Sequence, residues 1–374
     1  MRKSHVLGSR PLTASGASSF VGQRVPRLED KRLLRGAARF VDDVDLPGQL
    51  SMRVVRSPLA HARIVRIETA AARGVQGFRE VLTGEDLSHV GLIPLRLDFG
   101  LELDPYLQPV LARERVRYQG EPVAVVLAED QYLAEDAAEL VEIDFEELPV
   151  VLDAREALVD GAPLLRPGLS NEVAQISKAY GDAEGAIAEA AHTVRAELAV
   201  GRHSGVPLET RGLVADYDAG RDHLTIWGAT LVTHYHRRVL SRLLGLPLTH
   251  IHYRSTDSGG SFGVRGDFFP EDFLVAYLAR RTGRPVKWIE DRAEHLVATN
   301  HAREQFHRIE GAFDAEGRLL ALRDEVWNNK GAYIRPTGVT VSEITLGILH
   351  GPYRLPAYEA SIHVATTNKT PIGP

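Results

Sequence analysis

Ser258-Gly259-Gly260-Ser261-Phe262-Gly263 runs between a β-branched stretch, Thr249–Ser255, and a proline-led acidic segment that opens at Pro270. Glycines let backbone N–H groups approach a ligand closely. A helix start nearby favours an anion or an oxo group. No Gly-Lys-Ser/Thr follows, so this is not a phosphate loop, and the GxGxxG spacing of a dinucleotide site is missing. On its own, such a loop serves equally as a tight structural turn. His234 and His236 fall at i and i+2 of a helical stretch, where side chains do not face each other. His250 and His252 could share one strand face, but no third ligand lies near them in sequence. The histidines therefore read as surface or partly buried residues. Glu209, in PLETRG, reads as half of a structural ion pair with Arg211, and DFFPED reads as the acidic start of a helix. No nucleophile elbow occurs. Cysteine is absent, which excludes disulfides, thiolate zinc sites and any Cys-ligated iron–sulfur cluster on this chain. One-electron chemistry would need another chain.

The elements that must carry these residues are legible in part. LSMRVVR and ARIVRIET read as strands. PVAVVLAE (Pro122–Glu129) is a continuous apolar run, as in a buried strand. In QYLAEDAAELV, the residues Leu133, Ala137, Leu140 and Val141 mark one helix face. Val141, Ile143 and Phe145 then alternate with acids, so strand–helix–strand suggests an α/β domain ending near Pro149. In HTVRAELAV the residues Val194, Ala196, Leu198 and Val200 share one face. GLVADYDAGRDHLTIWG reads as a hairpin. THYHRRVLSRLLG reads as a helix with Thr233 as N-cap, an apolar stripe through Tyr235, Val239, Leu243 and Leu244, and Gly245 at its end. FFPEDFLVAYLARRTGRP is the best-signalled helix. Pro270 suits its first turn, Glu271 and Asp272 its positive end, and Gly283 its C′ position. VKWIED is a strand, and GAFDAEGRLLALRDEVW a hairpin and strand.

The whole chain has 374 residues and a formal charge of −6, with 44% hydrophobic and 25% charged residues, ordinary for a globular protein of two or three domains. No basic stripe interleaved with aromatics appears, so nucleic acid is not an expected partner. No apolar run of about 18 residues occurs, so no transmembrane helix is expected. The cytoplasm is the default location. The expected organisation is a flexible tail (1–21), an α/β domain (22–150), a proline-rich linker (151–177) and a second domain (178–374).

Several segments together resemble one family. VPRLEDKRLLRGAARFVDDVDLPGQL, VVRSPLAHARI and VRYQGEPVAVVLAED are similar to the α/β hammerhead domain of the molybdenum hydroxylases. These are the large, molybdopterin-binding subunits of xanthine dehydrogenase, aldehyde oxidase and carbon monoxide dehydrogenase. PLETRG, SGGSFGVRGDFFPEDF, GRPVKWIEDRAEHL and TNKTP are similar to the first part of the family's molybdopterin-binding region. The resemblance covers residues 22–374, with the segments in the family's order. It implies a mixed α/β (α+β) fold: a hammerhead domain followed by the first, incomplete part of a molybdopterin-binding domain. It also implies oxidation of an aldehyde, an N-heterocycle or a similar carbon centre with water, or of carbon monoxide. The implied cofactor is a molybdenum–pterin, with [2Fe–2S] clusters and FAD on separate partner chains, an iron–sulfur subunit and an FAD subunit.

Carried over residue by residue, the cofactor-facing loop is Gly259, Gly260, Ser261, Phe262 and Gly263. Ser261 stands where the family has a third glycine, and costs on the order of 1 kcal/mol if that position needs φ > 0. Leu231, after Thr230, stands where many members place a glutamine that hydrogen-bonds the metal's ligand, and leucine cannot make that bond. Gly266 follows the family's loop-lysine position; xanthine enzymes carry Glu there, which argues against xanthine. No catalytic base is assigned here. The family's Tyr-Arg-Gly loop, most pterin contacts and the catalytic glutamate are expected beyond Pro374, on a partner chain or further sequence. Sheet edges and apolar surface left uncovered imply that residues after about 175 fold poorly alone and are rescued by the missing half. Two other readings are a non-catalytic scaffold or remnant of the same fold, and an α/β protein whose glycine loop holds an anion.

Overall fold

The computed structural model describes residues 20–97 and 100–373; most of the expected tail, 1–19, lies outside them. The chain divides into two compact units, Met1–Ala38 and Arg39–Pro374. The first contains one short helix, α1 (Asp30–Leu33).

In the second unit, the stretch to residue 149 folds as β1 (Leu50–Arg56), β2 (Ala62–Glu68), α2 (Ala70–Arg73), β3 (Phe78–Thr83), β4 (Arg115–Val116), β5 (Pro122–Ala128), α3 (Gln131–Glu139) and β6 (Glu142–Glu147). Every residue of β5 is buried, as its continuous apolar run requires. α3 is capped by Asp130, whose carboxylate accepts from the N–H groups of Tyr132 and Leu133. Its buried face is Ala134 and Ala137; Leu140 is the exposed C-cap, so the apolar stripe is narrower than its spacing suggests. The strand–helix–strand unit does not close within one sheet. β5 lies in a seven-stranded sheet and β6 in a three-stranded one.

The expected linker, 151–177, is not bare. Val151, Ala157 and Leu165 pack against Tyr118 and Tyr333, and Glu172–Tyr180 forms strand β7. There follow α4 (Ala183–Ala188), β8 (His192–Ser204), β9 (Gly212–Asp218), β10 (His223–Gly228), α5 (Thr233–Leu244), β11 (Ile251–Ser255), α6 (Pro270–Thr282), β12 (Val286–Ile289), α7 (Arg292–Ala298), β13 (His301–Phe313), β14 (Leu319–Asn329), α8 (Thr340–Ile348) and β15 (Ala357–Ala365).

The seven-stranded sheet runs β11-β10-β9-β12-β1-β5-β3, so it draws strands from both sides of residue 150. The seam is the parallel pairing of β1 with β12, Leu50 opposite Val286. Its core is continuous across the seam, joining Val54, Val125 and Leu127 with Leu213, Phe273 and Trp288. A second sheet, β7-β15-β14-β13-β8, is built wholly after residue 171. β8 is its edge strand. The face expected to be apolar and shared, Val194, Leu198 and Val200, is 58%, 50% and 37% exposed. The alternation is real, but in this chain it faces open surface.

Candidate functional site

The glycine loop is set by what lies on either side of it. β10 and β11 are parallel neighbours, Ile226 opposite Tyr253, and the loop leaves the end of β11. α6 begins just beyond it, with Pro270 in its first turn and the Phe269 N–H donating to the Asp272 carboxylate at 2.7 Å. The helix ends at Gly283 with φ 64°, and α5 ends at Gly245 with φ 66°, both left-handed as their positions demand. α5 itself starts one residue earlier than expected: Val232, not Thr233, is the N-cap, and no side chain caps it.

Within the loop, Gly260, Phe262 and Gly263 take φ of 115°, 50° and 94°. Ser261 is not among the left-handed residues, so the strain expected of a serine there does not arise; Phe262 carries it instead. Gly259 is required by crowding, because a Cβ there would lie 2.4 Å from Glu209 Cβ. Four hydrogen bonds from buried Arg265 hold the loop. Its Nε donates to the Gly260 carbonyl at 2.7 Å, and Nη2 donates to the Glu209 carboxylate at 2.7 Å, the Glu209 carbonyl at 3.0 Å and the Thr210 carbonyl at 3.1 Å. The same carboxylate accepts from the Gly259 N–H at 2.8 Å. Burial pushes the Arg265 guanidinium pKa down, and Glu209 beside it opposes that. The backbone N–H groups of Gly260, Ser261, Phe262 and Gly263 have no hydrogen-bond partner among the described residues.

Thr230 and Leu231 meet this loop. The Leu231 N–H donates to the Arg265 carbonyl at 3.0 Å, and the Thr230 hydroxyl donates to it at 3.2 Å. The Leu231 and Phe262 side chains are 66% and 75% exposed. All six residues singled out by resemblance therefore lie in one neighbourhood, tied through Arg265.

Glu209 is not the partner of Arg211. Arg211 is buried and donates to Glu290 Oε1 through Nε (3.1 Å) and Nη2 (2.5 Å), and to Glu271 at 3.1 Å. Glu271 in turn accepts from Arg56 at 2.7 Å. Glu271 is thus more than an acid at a helix start; it joins the two sides of the sheet seam. These opposite charges hold the Glu290 carboxyl well below its usual range, outweighing burial. His236 is buried, and its Nε2–H donates to the Asp267 carbonyl at 3.0 Å. His250 lies in a 3-10 turn and meets Asp222 at 3.2 Å, while His252 lies on β11, so those two do not share a strand. Sequence spacing missed Arg265 as the anchor, and missed the buried Asp267, Lys330 and Arg335. No local pattern distinguishes a buried arginine from a surface one.

A loop of four partnerless N–H groups, alternating through left-handed backbone, makes a concavity for an anionic or oxo-bearing group. The residues present therefore fit a molybdenum–pterin cofactor. They fit it without the glutamine-type donor, since Leu231 offers only an apolar side chain.

The architecture is that of a mixed α/β protein, with a glycine loop whose N–H groups have no partner among the described residues. Comparison with known proteins makes it specific. Residues 166–374 match the molybdopterin cofactor-binding domain, and residues 35–149 match the aldehyde oxidase and xanthine dehydrogenase a/b hammerhead domain. The chain belongs to the molybdenum hydroxylase family of large, molybdopterin-binding subunits. It is 49% identical to the 6-hydroxypseudooxynicotine dehydrogenase complex subunit gamma of Paenarthrobacter nicotinovorans, over 95% of this chain and 45% of that protein. It is 39% identical to the nicotine 6-hydroxylase large subunit of the same organism, over 98% and 45%. Quinoline 2-oxidoreductase from Pseudomonas putida 86 superposes with a TM-score of 0.90 at 37% identity, over 96% of this chain and 46% of that one. The chain thus spans a little under half the length of these relatives.

Proposed function

We propose that this chain forms the first part of the molybdenum-cofactor subunit of a hydroxylase acting on a carbon of an N-heteroaromatic compound. The observation that carries the reading is the loop Gly259–Gly263, with its partnerless N–H groups held open by Glu209 and Arg265. The relatives named for nicotine and quinoline chemistry support the substrate class; Gly266 in place of an acid supports a substrate other than xanthine. Bound at this loop, the molybdenum–pterin group would supply oxidation of a carbon centre with water as the oxygen source. This chain's own part is positional: Gly260 to Gly263 would hold the group by backbone donors, and Phe262 and Leu231 would shield it from water. The base and most pterin contacts would come from sequence corresponding to the other half of the relatives. With no cysteine in the chain, [2Fe–2S] clusters and FAD would sit on partner subunits, and we place the assembly in the cytoplasm.

The test is the molybdenum content of the chain purified gently from its host together with whatever co-purifies. About one molybdenum per chain, lost when Gly259→Ala and Gly260→Ala are combined, is the expected result. A stable assembly free of molybdenum would overturn the reading and favour a non-catalytic scaffold of the same fold.

A further inference from the structure

Asp267, whose carbonyl accepts from His236, also faces a second group of charges. Lys330 directly follows β14 and has no exposure; Arg335, in the turn after it, is 2% exposed. The Lys330 Nζ and all three guanidinium nitrogens of Arg335 have no hydrogen-bond partner among the described residues. The Arg335 guanidinium stands 5.0 Å from the centre of the Phe269 ring, a contact that satisfies none of its N–H donors. Asp267 is the carboxylate that acts on both cations, and Arg96 acts on it as well. One of its oxygens is taken by the Asn300 amide, so a single, partly committed carboxylate faces three positive side chains.

A guanidinium does not shed its proton inside a protein, and a buried charge without a counter-charge and hydrogen bonds is strongly disfavoured. Burial pushes Lys330 down to about 8 and Asp267 up to about 6, so the amine and the carboxyl can each neutralise at modest cost. Arg335 cannot. We propose that Lys330 and Arg335 form an internal oxyanion site that takes one phosphate or carboxylate group. An arginine fork and an ammonium are the donor pair that such oxygens favour. The segment 369–373 runs directly against this cluster. The Ala332 N–H donates to the Lys369 carbonyl at 2.8 Å and the Ile372 N–H to the Lys330 carbonyl at 3.0 Å. A Cβ on Gly373 would lie 2.5 Å from the Asp267 carboxylate. The segment therefore closes over this cluster.

The proposal stands apart from the function of the glycine loop and is tested apart from it. The chain is dialysed to equilibrium over days against radiolabelled inorganic phosphate at fixed ionic strength, with acetate as competitor. Thermal midpoints are measured in parallel. Saturable uptake of about one phosphate per chain is expected, with a midpoint rise of roughly 4 °C at a hundredfold excess over Kd. Arg335→Met should weaken uptake at least tenfold, whereas Arg308→Met, at an exposed arginine, should leave it unchanged. Displacement by acetate would assign a carboxylate-type occupant, and its failure a phosphate-type one. If Arg335→Met does not fold, uptake by the native chain and by Lys330→Met decides. No saturable uptake by the native chain overturns the proposal. So does uptake that survives both substitutions, or that is lost in Gly259→Ala instead.

Discussion

Glu209→Gln should loosen the glycine loop measurably. The substitution keeps an oxygen to accept the Gly259 N–H, now 2.8 Å from the carboxylate, and removes the charge facing Arg265. The Arg265 side chain is 2% exposed and that of Glu209 15%, so the pair is close to fully buried. Removing one partner of a buried pair costs about 3–5 kcal/mol. Arg265 keeps its bonds to the carbonyls of Gly260, Glu209 and Thr210, which brings the cost to or below the lower end of that range, about 2–3 kcal/mol. For a unit of this size that is a fall of roughly 3–4 °C in thermal midpoint. The decisive assay is a double-mutant cycle with Arg265→Met, read by denaturant unfolding, together with hydrogen exchange at Gly259. A coupling of about 1.5 kcal/mol or more, with faster exchange at Gly259, is expected. Coupling below about 0.5 kcal/mol would mean that the carbonyl contacts alone hold the arginine, and the role assigned to Glu209 would be wrong.

Gly259→Ala forces a Cβ to within 2.4 Å of Glu209 Cβ; a loss of about 1–3 kcal/mol is expected, and an unchanged urea midpoint would show that the loop shifts freely. Buried Asp267 titrates at about 6 and Lys330 at about 8. A raised carboxyl binds protons more tightly when folded, so its contribution to stability is full below about pH 4 and is lost as pH rises through 6. A depressed lysine reverses the sign, so its contribution is lost as pH falls through about 8. Urea midpoints from pH 4 to 10 should therefore fall and then rise at these two groups. Asp267→Asn should flatten the acidic slope alone, and an unaltered slope would refute the assignment.

Local signals in the sequence carried the local structure well. Gly245 and Gly283 mark helix ends because left-handed backbone is a one-residue requirement, and Pro122–Ala128 is buried because seven apolar residues leave no face for water. Expectations that needed a partner distant in sequence fared worse. Arg211 lies two residues from Glu209 but pairs with Glu290 and Glu271, 79 and 60 residues away. Glu209 pairs with Arg265, 56 residues away. Glu172–Ser177, at the end of the proline-rich stretch, reads as linker, yet it is fixed by pairing with β15, Ile176 opposite Ile362. The seam of β1 with β12, which makes one sheet of two sequence regions, leaves no trace in either strand alone.

The site's arrangement follows from that seam. Arg56, on β1, reaches Glu271 at the start of α6, and Glu271 reaches Arg211 at the head of β9. Arg211 lies against Phe269, 3.9 Å from the ring centre, and Arg335 lies 5.0 Å from the same ring. Phe269 thus meets both an arginine whose charge is matched by two glutamates and one whose nitrogens have no partner among the described residues. The matched arginine fixes the segment from Thr210 to Glu209 and, through it, the loop. Burial alone does not explain the contrast, since both residues are buried. It separates two uses of the same residue type: a charge neutralised within the chain serves structure, and a charge left over serves a ligand.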